Sequence, residues 1–140
     1  MAQVDKKRIL DKIRVIEESI NKLKTLAQLC LEEFTMDFKN FDSAKYNLQT
    51  AIEAMVDIGN HIISRQGLGA PKTYRDTFEI LYKANIIPKS DADIYKLMAK
   101  FRNRIVHFYD EVDNKEVFNI LQNNLQDFSS FIRHINQLLN

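Results

Sequence analysis

The stretch KFRNRIVHFYDE, residues 100–111, brings together Arg102, Asn103, Arg104, His107 and Tyr109. Side chains of these types suit proton transfer and the binding of an anion. An imidazole titrates near neutral pH, so His107 could accept or deliver a proton. A guanidinium such as that of Arg102 can grip a phosphate oxygen and stabilise charge that develops on it. Asn103 lies four residues before His107, on the same helical face. Its amide could bind ribose or phosphate, or orient the imidazole. Tyr109 is a poor base at neutral pH, because a phenol titrates near ~10.

The spacing sets a geometric condition. Residues 94–109 on an ideal helix place Ile94, Leu97, Met98, Phe101, Ile105 and Phe108 in one apolar stripe, which is expected to face the core. Lys96, Lys100, Asn103 and His107 fall on the opposite side, with Arg104 at its edge. Arg102 shares a flank with Tyr95, Val106 and Tyr109. His107 thus has no place in the core. It is either a solvated cation at a helix end, where the dipole favours it, or a functional group. Arg102 and His107 are five residues apart, about 140° on a rigid helix. A shared site would need the reach of Arg102, an unwound helix end, or a second copy of the chain.

Other chemistries find little support. His61, His107 and His134 lie far apart, and no HxxxH or CxxC pairing occurs, so no metal site is expected. There is no G-x-x-x-x-G-K-[ST] loop and no G-x-S-x-G elbow, and no cofactor is expected. His61 reads as a solvated helix-end residue and His134 as a rim residue of the last helix. The lone Cys30 reads as a small buried apolar residue, in keeping with a reducing compartment.

The elements that must carry these groups are helices. Glycine (3) and proline (2) are scarce among 140 residues, of which 45% are hydrophobic and 28% charged. A net charge of +1 argues neither for nor against nucleic acid, so any anion recognition must be local. Ile9, Ile13, Ile16, Ile20, Leu23, Ala27 and Leu31 keep helical period, which predicts a first helix from about Val4 into the thirties. Leu48, Ala51, Ile52, Met55, Ile58 and Ile62 predict a second, capped by Asp42 or Ser43. SRQGLGAP is the clearest loop. Thr73 and Asp76 open a short helix that stops before Pro88. Ser90 with Asp93 opens the helix of the opening stretch, and Asp113 with Glu116 opens a long final one. No strand-like alternation occurs. The expectation is an all-α, up-down bundle of four long helices plus a short one, forming a single domain over residues 1–140. No signal-like or bilayer-length apolar run is present, so a soluble cytoplasmic protein without membrane contact is expected.

Arg102, His107 and Tyr109 spell R-x-x-x-x-H-x-Y, late in a helical chain and before a final long helix. This resembles the signature of the HEPN superfamily, and more closely that of HepT-like toxins. AKYNLQTAIEAMVDIGNHIIS is similar to the second helix of that family. The resemblance spans nearly the whole chain. It implies the toxin of a type VII toxin–antitoxin system, a metal-independent endoribonuclease working as a homodimer, with two motifs facing one cleft. It implies catalytic roles for Arg102 and His107, with Asn103 supporting. Asp57 on the second helix matches a polar position of the family and could orient the site. It also implies an MNT-type nucleotidyltransferase antitoxin that transfers AMP to Tyr109, placing negative charge beside Arg102 and Arg104. A dimer would gather Lys96, Lys100, Arg102 and Arg104 into one groove for RNA, and would cover the flank of Tyr95 and Val106. Two alternatives stay open: a non-catalytic HEPN-like module that binds nucleotide or a partner, and a plain helical interaction protein.

Overall fold

The computed structural model describes residues 3–140. Its described residues form seven α-helices and no strand: α1 (Lys6–Ala27), α2 (Leu31–Met36), α3 (Phe38–Gln66), α4 (Tyr74–Lys83), α5 (Lys89–His107), α6 (Asn114–Asn123) and α7 (Gln126–Leu139). A 3-10 turn, Tyr109–Glu111, links α5 to α6. The all-α expectation holds. The number of helices differs because two expected long helices are each broken once.

Both breaks lie where the apolar period runs on while the backbone turns. The first expected helix stops at Ala27, and a new one starts after Cys30. Cys30 is not a buried apolar residue. It is exposed and caps α2, its Sγ accepting from the Glu33 N–H at 3.5 Å while the Glu33 carboxylate accepts from the Cys30 N–H at 3.1 Å. That second bond holds the Glu33 carboxyl below the usual range. The final expected helix is split at Asn124, whose φ of −125° and ψ of 2° leave the helical region. The Gln126 side-chain amide donates to the Asn123 carbonyl at 2.7 Å beside the break.

Starts and stops otherwise follow cap chemistry. Asp37, rather than Asp42 or Ser43, caps α3 and accepts from the Lys39 N–H at 2.9 Å. Gly67, at φ 62°, ends α3 in the left-handed conformation that glycine adopts without strain. Thr73 and Asp76 form the expected capping box of α4. Asp113 accepts from the Glu116 N–H at 2.8 Å and starts α6. Ser90 and Asp93 do not cap α5. That helix begins two residues earlier, after Pro88, and Asp93 pairs with Lys89 at 3.3 Å.

α3 runs through the middle, with Leu48, Ala51, Ile52, Met55, Ile58 and Ile62 buried. Against it α1 lays the stripe from Ile9 to Leu23. α4 crosses α3 at Gly59, where an added Cβ would stand 2.6 Å from Thr77 Cγ2. The Thr77 hydroxyl donates to the Asn60 side-chain oxygen at 2.7 Å across the same crossing. His61 is not solvated. It is buried, and its Nε2 accepts from the Asp5 N–H at 2.9 Å, tying α3 to the cap of α1. His134 sits half-buried at the rim, 2.6 Å from the Asp91 carboxylate.

Phe101 and Ile105 of the expected α5 stripe are buried and Ile94 and Met98 pack against the core, but the first half of the helix turns a different face inward. Tyr95, expected on a flank, is fully buried, with ring centroids 5.6 Å from Phe78 and 5.4 Å from Phe131. Its hydroxyl lies 2.5 Å from Ser130 Oγ, and burial raises its pKa. Ala92 and Ala99 are buried with it. Leu97 and Phe108, expected in the core, are 66% and 58% exposed. The cause is packing: Tyr95 can bury its ring because Ser130 receives its hydroxyl. The longer residues Leu97 and Met98 instead line an open apolar groove of about 640 Å³ with Leu48, Ile52, Ile120 and Phe128.

Candidate active site

The helix carrying the singled-out residues ends among them. α5 stops at His107, and Phe108 leaves the helical region at φ −137° and ψ 44°. Tyr109 then opens the 3-10 turn, which Val112 anchors by burying its side chain. The unwinding begins only after His107, so it frees Tyr109 and does not by itself bring Arg102 and His107 together. His107 and Tyr109 both emerge into solvent, Tyr109 at 60% exposure.

Arg104 holds this end in place and has no grip to spare. Its guanidinium meets Glu116 at 2.6 and 2.9 Å and donates to the Glu111 carbonyl at 3.0 Å. The Glu116 carboxylate raises its pKa further. One side chain thus joins α5, the turn and the first turn of α6. Lys96 is likewise paired, with Glu79 on α4. The expected groove of Lys96, Lys100, Arg102 and Arg104 therefore does not form within one chain. Only Lys100 of the four is exposed and without an ion pair among the described residues.

Arg102 is held on several sides. Its Nη2 lies 2.7 Å from Glu53 Oε2 on α3, and its guanidinium carbon 4.8 Å from the Tyr74 ring centroid. Nη1 donates to the Asn103 side-chain oxygen at 3.3 Å. The side chain is only 15% exposed, and its Nε is buried without a hydrogen-bond partner. Its neighbours hold the plane of the guanidinium. Asp57 does not meet Arg102. Its carboxylate accepts from Lys12 at 3.0 Å, one helical turn beyond Glu53. Glu53, Asp57, Lys12, Thr50 and Tyr74 line one small cavity of about 280 Å³. Glu53 and Tyr74 are the site residues that sequence reasoning missed. A usable signal existed for Glu53: two like charges at i and i+4, Glu53 and Asp57, each call for a cation.

The structure brings Arg102, Asn103, Glu53 and Tyr74 together. It leaves His107 apart from them, with no hydrogen bond to Arg102, Asn103 or Asp57 among the described residues. On the far side of the turn, Lys45 of α3 points its Nζ at the Phe41 ring, 4.1 Å from the centroid, and lies 5.9 Å from the Tyr109 centroid. No group of three or more His, Cys, Asp or Glu among the described residues gathers closely enough to hold a metal ion. No helix among them is long and apolar enough to cross a membrane.

Comparison with known proteins places the chain as a whole. The family model described as "Ribonuclease HepT-like" matches residues 16–135. The chain is 37% identical over 124 residues to the mRNA nuclease HepT of Shewanella oneidensis, covering 89% of this chain and 92% of that one. It is 27% identical over 139 residues to the tRNA nuclease HepT of Aphanizomenon flos-aquae, covering 99% and 95%. Among solved structures, the tri-AMPylated Shewanella oneidensis HEPN toxin in complex with MNT antitoxin superimposes with a TM-score of 0.87 at 36% identity, covering 93% of this chain and 97% of that one. With motif, helix order and nearly full-length similarity in agreement, this chain belongs to the ribonuclease HepT-like family.

Proposed function

We propose that this chain, as one domain over residues 1–140, is the ribonuclease toxin of a type VII toxin–antitoxin pair acting on cytoplasmic RNA. In this reading it is a metal-independent endoribonuclease, neutralised by AMPylation of Tyr109. The observation that carries the reading is the end of α5. An ordered, mostly buried guanidinium sits there five residues before a free, solvent-facing imidazole, and a tyrosine follows on an unwound turn.

Arg102 holds the scissile phosphate and stabilises the charge on its oxygens. Glu53 and Tyr74 fix the plane of the guanidinium, and Asn103 bonds it from the side. Asp57 supports from the cavity that Glu53 also lines. His107 moves the protons. The 2′-oxygen attacks phosphorus, the bond to the 5′-oxygen breaks, and a 2′,3′-cyclic phosphate remains. The 2′-hydroxyl proton goes to one imidazole, and the leaving oxygen takes a proton from another. One chain supplies a single His107, so a two-fold homodimer with facing motifs provides both proton carriers.

Tyr95 cannot serve that dimer, because it lies inside its own bundle. Leu97, Phe108 and Val106 supply the exposed apolar surface beside the motif instead. In inactivation, the Tyr109 hydroxyl oxygen bonds to the α-phosphorus of ATP, pyrophosphate leaves, and the phenolic proton passes to solvent. An MNT-type nucleotidyltransferase antitoxin catalyses that transfer. The negative phosphodiester then occupies the mouth where an RNA phosphate would enter.

The test uses purified, unmodified protein, RNA and excess chelator. Fragments ending in a cyclic phosphate or its hydrolysis product are expected, and light scattering should give about twice the 16.4 kDa chain mass. Cleavage that disappears with chelator, or a monomer at micromolar concentration, would overturn the reading.

A further inference from the structure

Around the candidate site the half-buried cations are committed to carboxylates, with one exception. Lys12 meets Asp57 at 3.0 Å, Arg102 meets Glu53 at 2.7 Å, Arg104 meets Glu116 at 2.6 Å, and Lys96 meets Glu79. Lys45 has only Asp42, at 3.9 Å and on its own helix. Its Nζ makes no hydrogen bond to any described residue. Yet its side chain is only 15% exposed, held between the Phe41 ring at 4.1 Å and the Tyr109 ring at 5.9 Å. A lysine with a mostly buried side chain, aromatic neighbours and one distant carboxylate has unused capacity for an anion.

We propose that Lys45 is the phosphate-binding group for modified Tyr109: it pairs with the first phosphodiester of an AMP group on that tyrosine and clamps the group over the end of α5. The proposal rests on the reading that Tyr109 is the modified residue, and it names what holds the modification in place. Arg104, the neighbour that the sequence offers for this task, is occupied by Glu116 and the Glu111 carbonyl. Arg102 is occupied by Glu53. Lys45 reaches Tyr109 from α3, a different element from the one carrying the tyrosine. A phosphodiester bonded there would tie the 3-10 turn to the central helix. Four rotatable bonds let the ammonium follow the phosphate, while its apolar stem stays packed on Phe41.

The experiment compares the wild-type chain with Lys45→Met and Lys45→Arg. Lys45→Met keeps the stem and removes the charge. Each protein is incubated with ATP and the MNT antitoxin of the Shewanella oneidensis complex, and intact mass is recorded. Wild type should gain AMP, and Tyr109→Phe should not. The modified proteins are then treated with a phosphodiesterase. AMP should leave the Lys45→Met protein about tenfold faster than wild type, the loss of one charge-assisted bond, and Lys45→Arg should behave as wild type. Before modification, Lys45→Met should cleave RNA at the wild-type rate. Equal release from all three proteins overturns the proposal. So does a comparable loss of cleavage in unmodified Lys45→Met, which would make Lys45 an RNA contact instead. If wild type gains no AMP, the assignment of Tyr109 as the modified residue fails, and the role of Lys45 fails with it.

Discussion

Removing the Glu53 carboxylate should both loosen and destabilise the site. Glu53 Oε2 lies 2.7 Å from Arg102 Nη2, with the side chains only 32% and 15% exposed. With charge centres about 4 Å apart and an effective dielectric of about 20, the gross attraction is about 4 kcal/mol. Desolvation of both groups offsets much of it. Losing one partner nevertheless strands a mostly buried guanidinium whose Nε already lacks a partner. Glu53→Ala should therefore cost about 1–3 kcal/mol, with a smaller loss for Glu53→Gln, which keeps an acceptor. Thermal melting of Arg102→Ala, Glu53→Ala and the double variant separates the pair from its surroundings. Once Arg102 is gone, Glu53→Ala should cost no more than about 0.5 kcal/mol, because nothing remains to be stranded. RNA cleavage by Glu53→Ala should fall by about ten- to a hundredfold as the guanidinium loses its fixed plane. Additive losses in the double variant, or full cleavage by Glu53→Ala, would refute the positioning role.

Two further perturbations test the frame that presents the site. Gly59→Ala should destabilise the fold by about 1–3 kcal/mol, because the new Cβ would meet Thr77 Cγ2 at 2.6 Å and that β-branched side chain is tied to Asn60; a calorimetric scan should show a drop of roughly 4–10 °C. Burial first, then Arg8 and Arg65, lower the His61 pKa from its ordinary 6.5, so the fold favours the neutral ring. Its contribution to stability is then present above pH 6.5 and lost as pH falls below that value, when protonation removes the acceptor for the Asp5 N–H. Denaturant midpoints for wild type and His61→Gln should diverge above pH 6.5 and converge below it, and parallel curves would contradict the assignment.

The helical class and the core faces of α1 and α3 were legible in the sequence, because period and cap residues point the same way. At Cys30 and Asn124 the apolar period runs on across a break in the backbone, so periodicity alone joins what the chain separates. The first half of α5 was misphased because a wheel weighs residues by apolarity. Tyr95 enters the core only because Ser130, on another helix, receives its hydroxyl. His61 looked solvated because its partner, the Asp5 N–H, lies 56 residues away. Within the site, the motif marks Arg102, His107 and Tyr109 by spacing alone. Glu53 and Tyr74 act through contacts between elements; only the paired charges of Glu53 and Asp57 on α3 hint at the first, and no local pattern at the start of α4 announces the second.

The central claim is that His107 and Arg102, at the end of α5, carry out RNA cleavage. The most direct test is the cleavage rate of purified His107→Ala and Arg102→Ala in chelator, with circular dichroism confirming that each stays folded. Because His107 is exposed and makes no hydrogen bond to any described residue, its removal should leave the helical signal and melting temperature near wild type. The predicted result is a fall in rate of about 10²–10⁴ for His107→Ala, and of about 10²–10³ for Arg102→Ala. A folded His107→Ala protein that still cuts RNA at the wild-type rate would contradict the account.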